Sequence, residues 1–193
     1  VNSDTHGQLP DESYHFSGQH LTEYDRTKAV AHDIAKQFIA EGLPLVIVMP
    51  GLIYGPGDTS AVRRTLLNLL QGKLPAIPAG AAYSWAHVED IAQAHWLAME
   101  KGRIGESYII CGPSHTLVEA IRLACEVSGK KMPMILPPVM LRSMAPLVGL
   151  FEKFLPIPPD YSAENLRTTG GTTYTGDNSK AKREWGYEIG RAS

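Results

Sequence analysis

Two short runs with almost no polar interruption constrain the fold more than any other feature of this chain. Leu45-Val46-Ile47-Val48-Met49 is cut off by Pro50-Gly51, and Ser107-Tyr108-Ile109-Ile110-Cys111 is cut off by Gly112-Pro113. Apolar runs of this length suit strands buried on both faces, as in a parallel sheet covered by helices. The flanking segments have helical spacing. Thr22 to Glu41 predicts a helix, with Thr22 as N-cap, Asp25 three residues on, Ala31, Ile34, Ala35, Phe38 and Ile39 on one stripe, and Gly42 as the stop. Further helices are expected near 60–71, 89–101, 116–128, 138–153, Ser162 and 179–185. Short strands are expected at 84–87 and 172–176. Residues 1–20 have loop composition, 51–58 read as a glycine-rich loop and 74–82 as a Pro/Gly/Ala linker. Strands alternating with helices indicate an α/β architecture.

Composition narrows the function by exclusion. With 44% hydrophobic residues, 20% charged residues and a net charge of −2, the 193-residue chain is an ordinary globular sequence with no footprint for nucleic acid. Cys111 and Cys125 read as small interior hydrophobes. The apolar stretch from Met132 to Leu155 is interrupted by prolines, Arg142 and Glu152, too often for a membrane span. The expectation is a cytoplasmic protein with no membrane partner. The histidines show no ligand spacing, so no metal is expected.

Tyr24 and Lys28 lie four apart on the first predicted helix, so their side chains share one face. A free phenol, with a pKa of about 10, is a poor base at neutral pH. An ammonium about 4 Å away contributes on the order of 4 kcal/mol at an effective dielectric near 20. At about 1.4 kcal/mol per unit, that lowers a phenol by up to about three units, into the range useful for proton transfer. The same pair can also be a solvated helix face. What favours chemistry is its position, opening a helix that leads straight to a buried strand ending in Pro-Gly. In open α/β sheets, ligands bind beyond the carboxyl ends of such strands.

Four segments, in order, carry a resemblance: Tyr24 to Lys28; Pro50-Gly51-Leu52-Ile53-Tyr54-Gly55-Pro56-Gly57-Asp58; Trp85-Ala86-His87-Val88-Glu89-Asp90-Ile91-Ala92; and Gly105-Glu106-Ser107-Tyr108-Ile109-Ile110-Cys111-Gly112. Together the chain resembles the extended short-chain dehydrogenase/reductase (NAD-dependent epimerase/dehydratase) family, and most closely its dihydroflavonol-reductase-like and sterol-dehydrogenase-like branch. The resemblance implies the C-terminal portion of a Rossmann-type doubly wound parallel sheet plus a small α/β substrate-binding domain. Residues 1–50 would complete the dinucleotide-binding domain. Residues 51–193 would form mainly the substrate-binding region, with about 84–112 returning to the sheet. The implied cofactor is NAD or NADP. Tyr24 and Lys28 would be catalytic and would also touch the cofactor, and Pro50, Gly51, Leu52 and Ile53 would border the nicotinamide. Arg63 and Arg64 are candidates for an anionic or polar substrate. His87 and Asp90 match the family pattern but are expected to be structural. Family members often pair through the helix bearing the Tyr, so a homodimer is conceivable.

Three departures qualify the carry-over. The chain has no Gly-x-x-Gly-x-x-Gly loop, which in the family lets a pyrophosphate approach a helix N-terminus. The family's Ser or Thr partner of the Tyr is represented at most by Ser3. No cation precedes His87 in the stretch Ala82-Tyr83-Ser84-Trp85, which disfavours a bare diphosphate. The expected activity is therefore hydride transfer between a nicotinamide and a ketone or secondary alcohol. A nucleotide-sugar epimerase or dehydratase is the same-family alternative. Because the chain opens in loop composition without an initiator Met, a third expectation is a truncated fragment or binding relative that is inert by itself.

Overall fold

The structure is a computed structural model describing residues 4–151 and 171–190. In chain order its elements are α1 (Glu23–Ala40), β1 (Ile47–Pro50), β2 (Leu52–Tyr54), α2 (Ala61–Leu70), β3 (Ala76–Pro78), β4 (Ala82–His87) and α3 (Val88–Lys101). They continue with β5 (Ser107–Ile110), β6 (Ser114–Thr116), α4 (Leu117–Ser128), β7 (Met134–Leu136), α5 (Pro138–Phe151), β8 (Thr173–Tyr174) and α6 (Ser179–Trp185). The expected helix near Ser162 lies outside the described residues. The fold is α/β with parallel strand pairs.

The chain divides into two compact units. The first is drawn from Val1–Pro56, Ser84–Ser114 and Tyr174–Ser193, the second from Gly57–Tyr83 and His115–Thr173. Residues 51–56, 84–114 and the tail from Tyr174 thus belong to the same compact unit as the segment before 50. The tail is recruited by packing. In the first unit β1 and β5 pair in parallel, Ile47 opposite Ser107 and Pro50 opposite Ile110, and β2 pairs in parallel with β4, Leu52 opposite Trp85. Against β5 lies α6, whose Trp185 ring stands 4.0 Å from that of Tyr108, both fully buried. Ile91, Ala94 and Ala98 of α3 complete this core with Ile110, Ala181 and Tyr187. Around its rim the Tyr108 hydroxyl donates to Glu184 at 2.6 Å, and Lys180 donates to Glu106 and to the Ser107 carbonyl at 2.7 and 2.8 Å.

The second unit is built around Leu69, Ile77, Ile121 and Cys125. Its parallel pair is β3–β7, Ala76 opposite Met134. A capping box joins Thr116 and Glu119 at the start of α4, and Gly129 ends that helix at φ 67°.

Three local expectations change. The glycine-rich segment after Pro50 contains β2, because Leu52-Ile53-Tyr54 finds a partner in β4. The expected linker contains β3, because Ile77 is a core residue of the second unit. The apolar stripe of α1 is largely uncovered: Ile34 and Phe38 are 45% and 51% exposed, and the only buried residue of α1 is Asp25. Similarly β1, expected to be buried on both faces, is half-buried and pairs only with β5 among the described residues.

Because Trp185 and Tyr108 hold the tail to the sheet, Trp185→Ala is expected to destabilise the first unit by about 3–5 kcal/mol. Thermal or urea unfolding reads this out; a loss below about 1 kcal/mol would show that the tail is not part of the core.

Candidate active site

The first unit contains a cleft of about 750 Å³ between α1 and the carboxyl end of β1. One wall is the face of α1 carrying Tyr24, Lys28, Ala31, His32 and Ala35. That face is fixed by the helix start: Thr22 Oγ1 accepts from the Asp25 amide at 3.1 Å and donates to the Asp25 carboxylate at 2.8 Å. Lys28 Nζ lies over the Tyr24 ring, 5.5 Å from its centroid, within cation–π reach. Tyr24 is 67% exposed, so its phenol is open to the cleft rather than locked in the protein interior.

The floor is the exit of β1. Pro50, Gly51 and Ile53 line it together with Ser84, Ile109 and Cys111. Gly51 is there for steric reasons: a Cβ at this position would stand 2.5 Å from the Ser84 carbonyl oxygen and 2.7 Å from Cys111 Cβ. Leu52 is not among the lining residues. Successive side chains of a strand point to opposite faces, and only Ile53 of this pair reaches the cleft.

Two further walls come from segments whose sequence gave no functional signal. The loop before α1 contributes Glu12, His15, Phe16 and His20. It is anchored by Glu12, whose carboxylate accepts from the Ile109 amide at 2.8 Å. The tail contributes Tyr174, Thr175 and Gly176. Gly176 is tied down through its amide to Ser84 Oγ at 3.1 Å and through its carbonyl, which accepts from the Cys111 thiol at 3.1 Å. Loop composition tells that such segments turn, but not where they return. Burial pushes the Tyr174 phenol up, with Tyr24 and Asp25 adding to it. Burial lowers His32, helped by Lys36.

The other candidates fall elsewhere. The cleft is built of first-unit residues alone. Arg63 and Arg64 are exposed near the start of α2, in the second unit. His87 caps α3, accepting from the Glu89 amide at 3.4 Å, and its ring meets Tyr54 edge-on at 5.5 Å. Asp90 is buried and accepts from the Gly190 amide at 3.1 Å. Both contacts are structural. Ser3 lies outside the described residues. Cys111 and Cys125 are free and buried.

A family model described as the NAD dependent epimerase/dehydratase family matches residues 3–111, more than half of the chain. The chain belongs to that family. Sterol demethylase protein B of Methylococcus capsulatus is 33% identical over 171 residues, covering 86% of this chain and 51% of the relative. A 4-hydroxy-2-methyl-3-oxo-4-farnesyl-3,4-dihydroquinoline-1-oxide ketoreductase of Stigmatella aurantiaca is 28% identical, covering 92% of this chain and 54% of the relative. The solved structure of gox2253 superimposes with a TM-score of 0.79 at 28% identity, over 96% of this chain and 57% of that one. The chain therefore spans about half the length of the curated relatives it matches. The family is NAD-dependent, and the cleft fits one end of that cofactor. Lys28 offers donors suited to ribose hydroxyls, while Pro50 and Ile53 offer an apolar edge suited to a nicotinamide ring.

Burial of Cys111 gives a measurable pH signature. Its thiol is pushed from 9.0 up to about 11, chiefly by burial, against the lowering effect of a hydrogen bond with Ser84. The folded state thus holds this proton more tightly than the unfolded chain does. The corresponding stability is complete below about pH 9 and is lost as pH rises through about 11. Urea unfolding at about pH 7 and about pH 10.5 should show wild type losing more stability than Cys111→Ala over that interval. Equal losses would mean that the thiol does not sense its burial.

Proposed function

We propose that this chain supplies the active-site helix and the substrate-side region of an NAD(P)-dependent oxidoreductase acting on a ketone or secondary alcohol. The observation that carries the reading is the pairing of Tyr24 and Lys28 on one helix face, open to the cleft that ends at Pro50 and Gly51. When bound, the nicotinamide accepts or delivers the hydride. Tyr24 acts at the substrate oxygen: in reduction its phenol donates the proton as the carbonyl becomes an alcohol, and in oxidation the phenolate takes it back. Lys28, one turn on, favours the phenolate by its charge and holds the ribose hydroxyls. Pro50, Gly51 and Ile53 shape the apolar rim that would border a nicotinamide ring. Arg63 and Arg64 are retained as candidates for polar substrate groups.

The named relatives act, by their names, on a sterol and on a farnesyl-bearing quinoline. Both carry a large hydrocarbon part, and this supports a ketone or carbinol with a large apolar part as substrate class. The family description favours one rival, transient oxidation of a nucleotide sugar by an epimerase or dehydratase. Net NAD(P)H consumption with ketones, against none with UDP- or dTDP-sugars, distinguishes the two; turnover of sugars without net consumption overturns the reductase reading.

Tyr24→Phe is expected to lower turnover by about 10²–10⁴-fold while NADH binding, followed by fluorescence enhancement, stays nearly unchanged. Lys28→Ala should weaken both. A Tyr24→Phe enzyme with the wild-type rate would remove Tyr24 from the chemistry.

A further inference from the structure

We propose that the second unit docks on the surface of an anionic lipid bilayer through the outward face of α5 and the segment leading into it. Along α5, Val139, Ser143, Pro146 and Leu150 recur at i, i+4, i+7 and i+11, which places them on one helix face. All four are exposed, Val139 at 78% and Leu150 at 55%, whereas Leu141 on the other side is buried. Among the described side chains of α5, the exposed ones are Val139, Met140, Ser143, Pro146 and Leu150, none of them charged. A helix facing water normally carries charges at its exposed positions. Other apolar side chains of the second unit are exposed as well: Val127 of α4, Met134 of β7 and Met140 of α5 are 83%, 66% and 49% exposed, and Lys130 and Lys131, between α4 and β7, are exposed too.

Charge selects the occupant. From Val127 to Phe151 the sequence contains Lys130, Lys131 and Arg142 and no Asp or Glu, in a chain whose net charge is −2. Cations beside exposed apolar side chains suit an interface of acyl chains and anionic headgroups. No described helix is long and apolar enough to cross a membrane. That shortfall, from which the sequence predicts no membrane partner, does not bear on a helix lying in the interface plane. The inference stands independently of the catalytic reading.

Co-sedimentation of the protein with phosphatidylcholine vesicles, with and without phosphatidylglycerol, tests it. Binding is expected with the anionic vesicles and should fall as salt is raised. Lys130→Gln with Lys131→Gln should cost about five-fold in partitioning per lysine. Val139→Asp with Leu150→Asp should abolish binding while circular dichroism stays unchanged, since both side chains are largely outside the core. Phe38→Asp, at an exposed apolar position of the first unit, should bind like wild type. Absence of binding to either vesicle, or equal loss with Phe38→Asp, overturns the proposal. So does a dimer in light scattering that Val139→Asp dissolves without any vesicle binding.

Discussion

Around Gly51 three segments come closer than any side chain permits. The chain leaves β1 between the Ser84 carbonyl and Cys111, at distances that exclude even a methyl group. Ser84 and Cys111 then bind the tail through Gly176. The tail continues into Asn178, whose amide donates to the Cys111 carbonyl at 2.5 Å, and into α6, whose Trp185 closes the core on Tyr108. One steric constraint thereby sets the floor of the cleft, the path of the tail, and the wall that Tyr174 forms. The proposed chemistry needs this, because a phenol on α1 is useful only if the opposite wall holds a substrate at a defined distance.

The two units distribute different tasks. In the first, polar residues are spent on fixing backbone: Thr22 on the start of α1, Glu12 on the Ile109 amide, Asp90 on the Gly190 amide. Such bonds stabilise positions modestly, about 0.5–1.5 kcal/mol each, but they determine which loop closes the cleft. In the second, a small core of Leu69, Ile77, Ile121 and Cys125 leaves much apolar surface uncovered on α4, β7 and α5.

Parts of this were legible in the residues. The apolar runs before Pro50 and before Gly112 marked the two parallel strands, although β1 is only half-buried. Thr22 marked a helix start, because a side-chain oxygen there satisfies amides that the helix cannot, and the structure shows Ser60 and Thr116 doing the same. What misled was local composition. Glycines and prolines in 51–58 and 74–82 suggested loops, while the partners that make β2 and β3 strands are 33 and 58 residues away in register. The stripe of α1 marked a helix, but Ile34 and Phe38 on it remain about half exposed.

By itself the sequence determined the family, the helix pairing Tyr24 with Lys28, and the Pro-Gly exit beside it, because each depends on neighbours within a few residues. Only the tertiary structure decided that Glu12, His20, Tyr174 and Cys111 share the cleft with that pair, and that Leu52 does not. It likewise decided that Trp185 is a core residue and that Val139 and Leu150 of α5 are exposed. These depend on contacts between segments far apart in the chain, and on which side of a strand or helix is left uncovered, which no periodicity records.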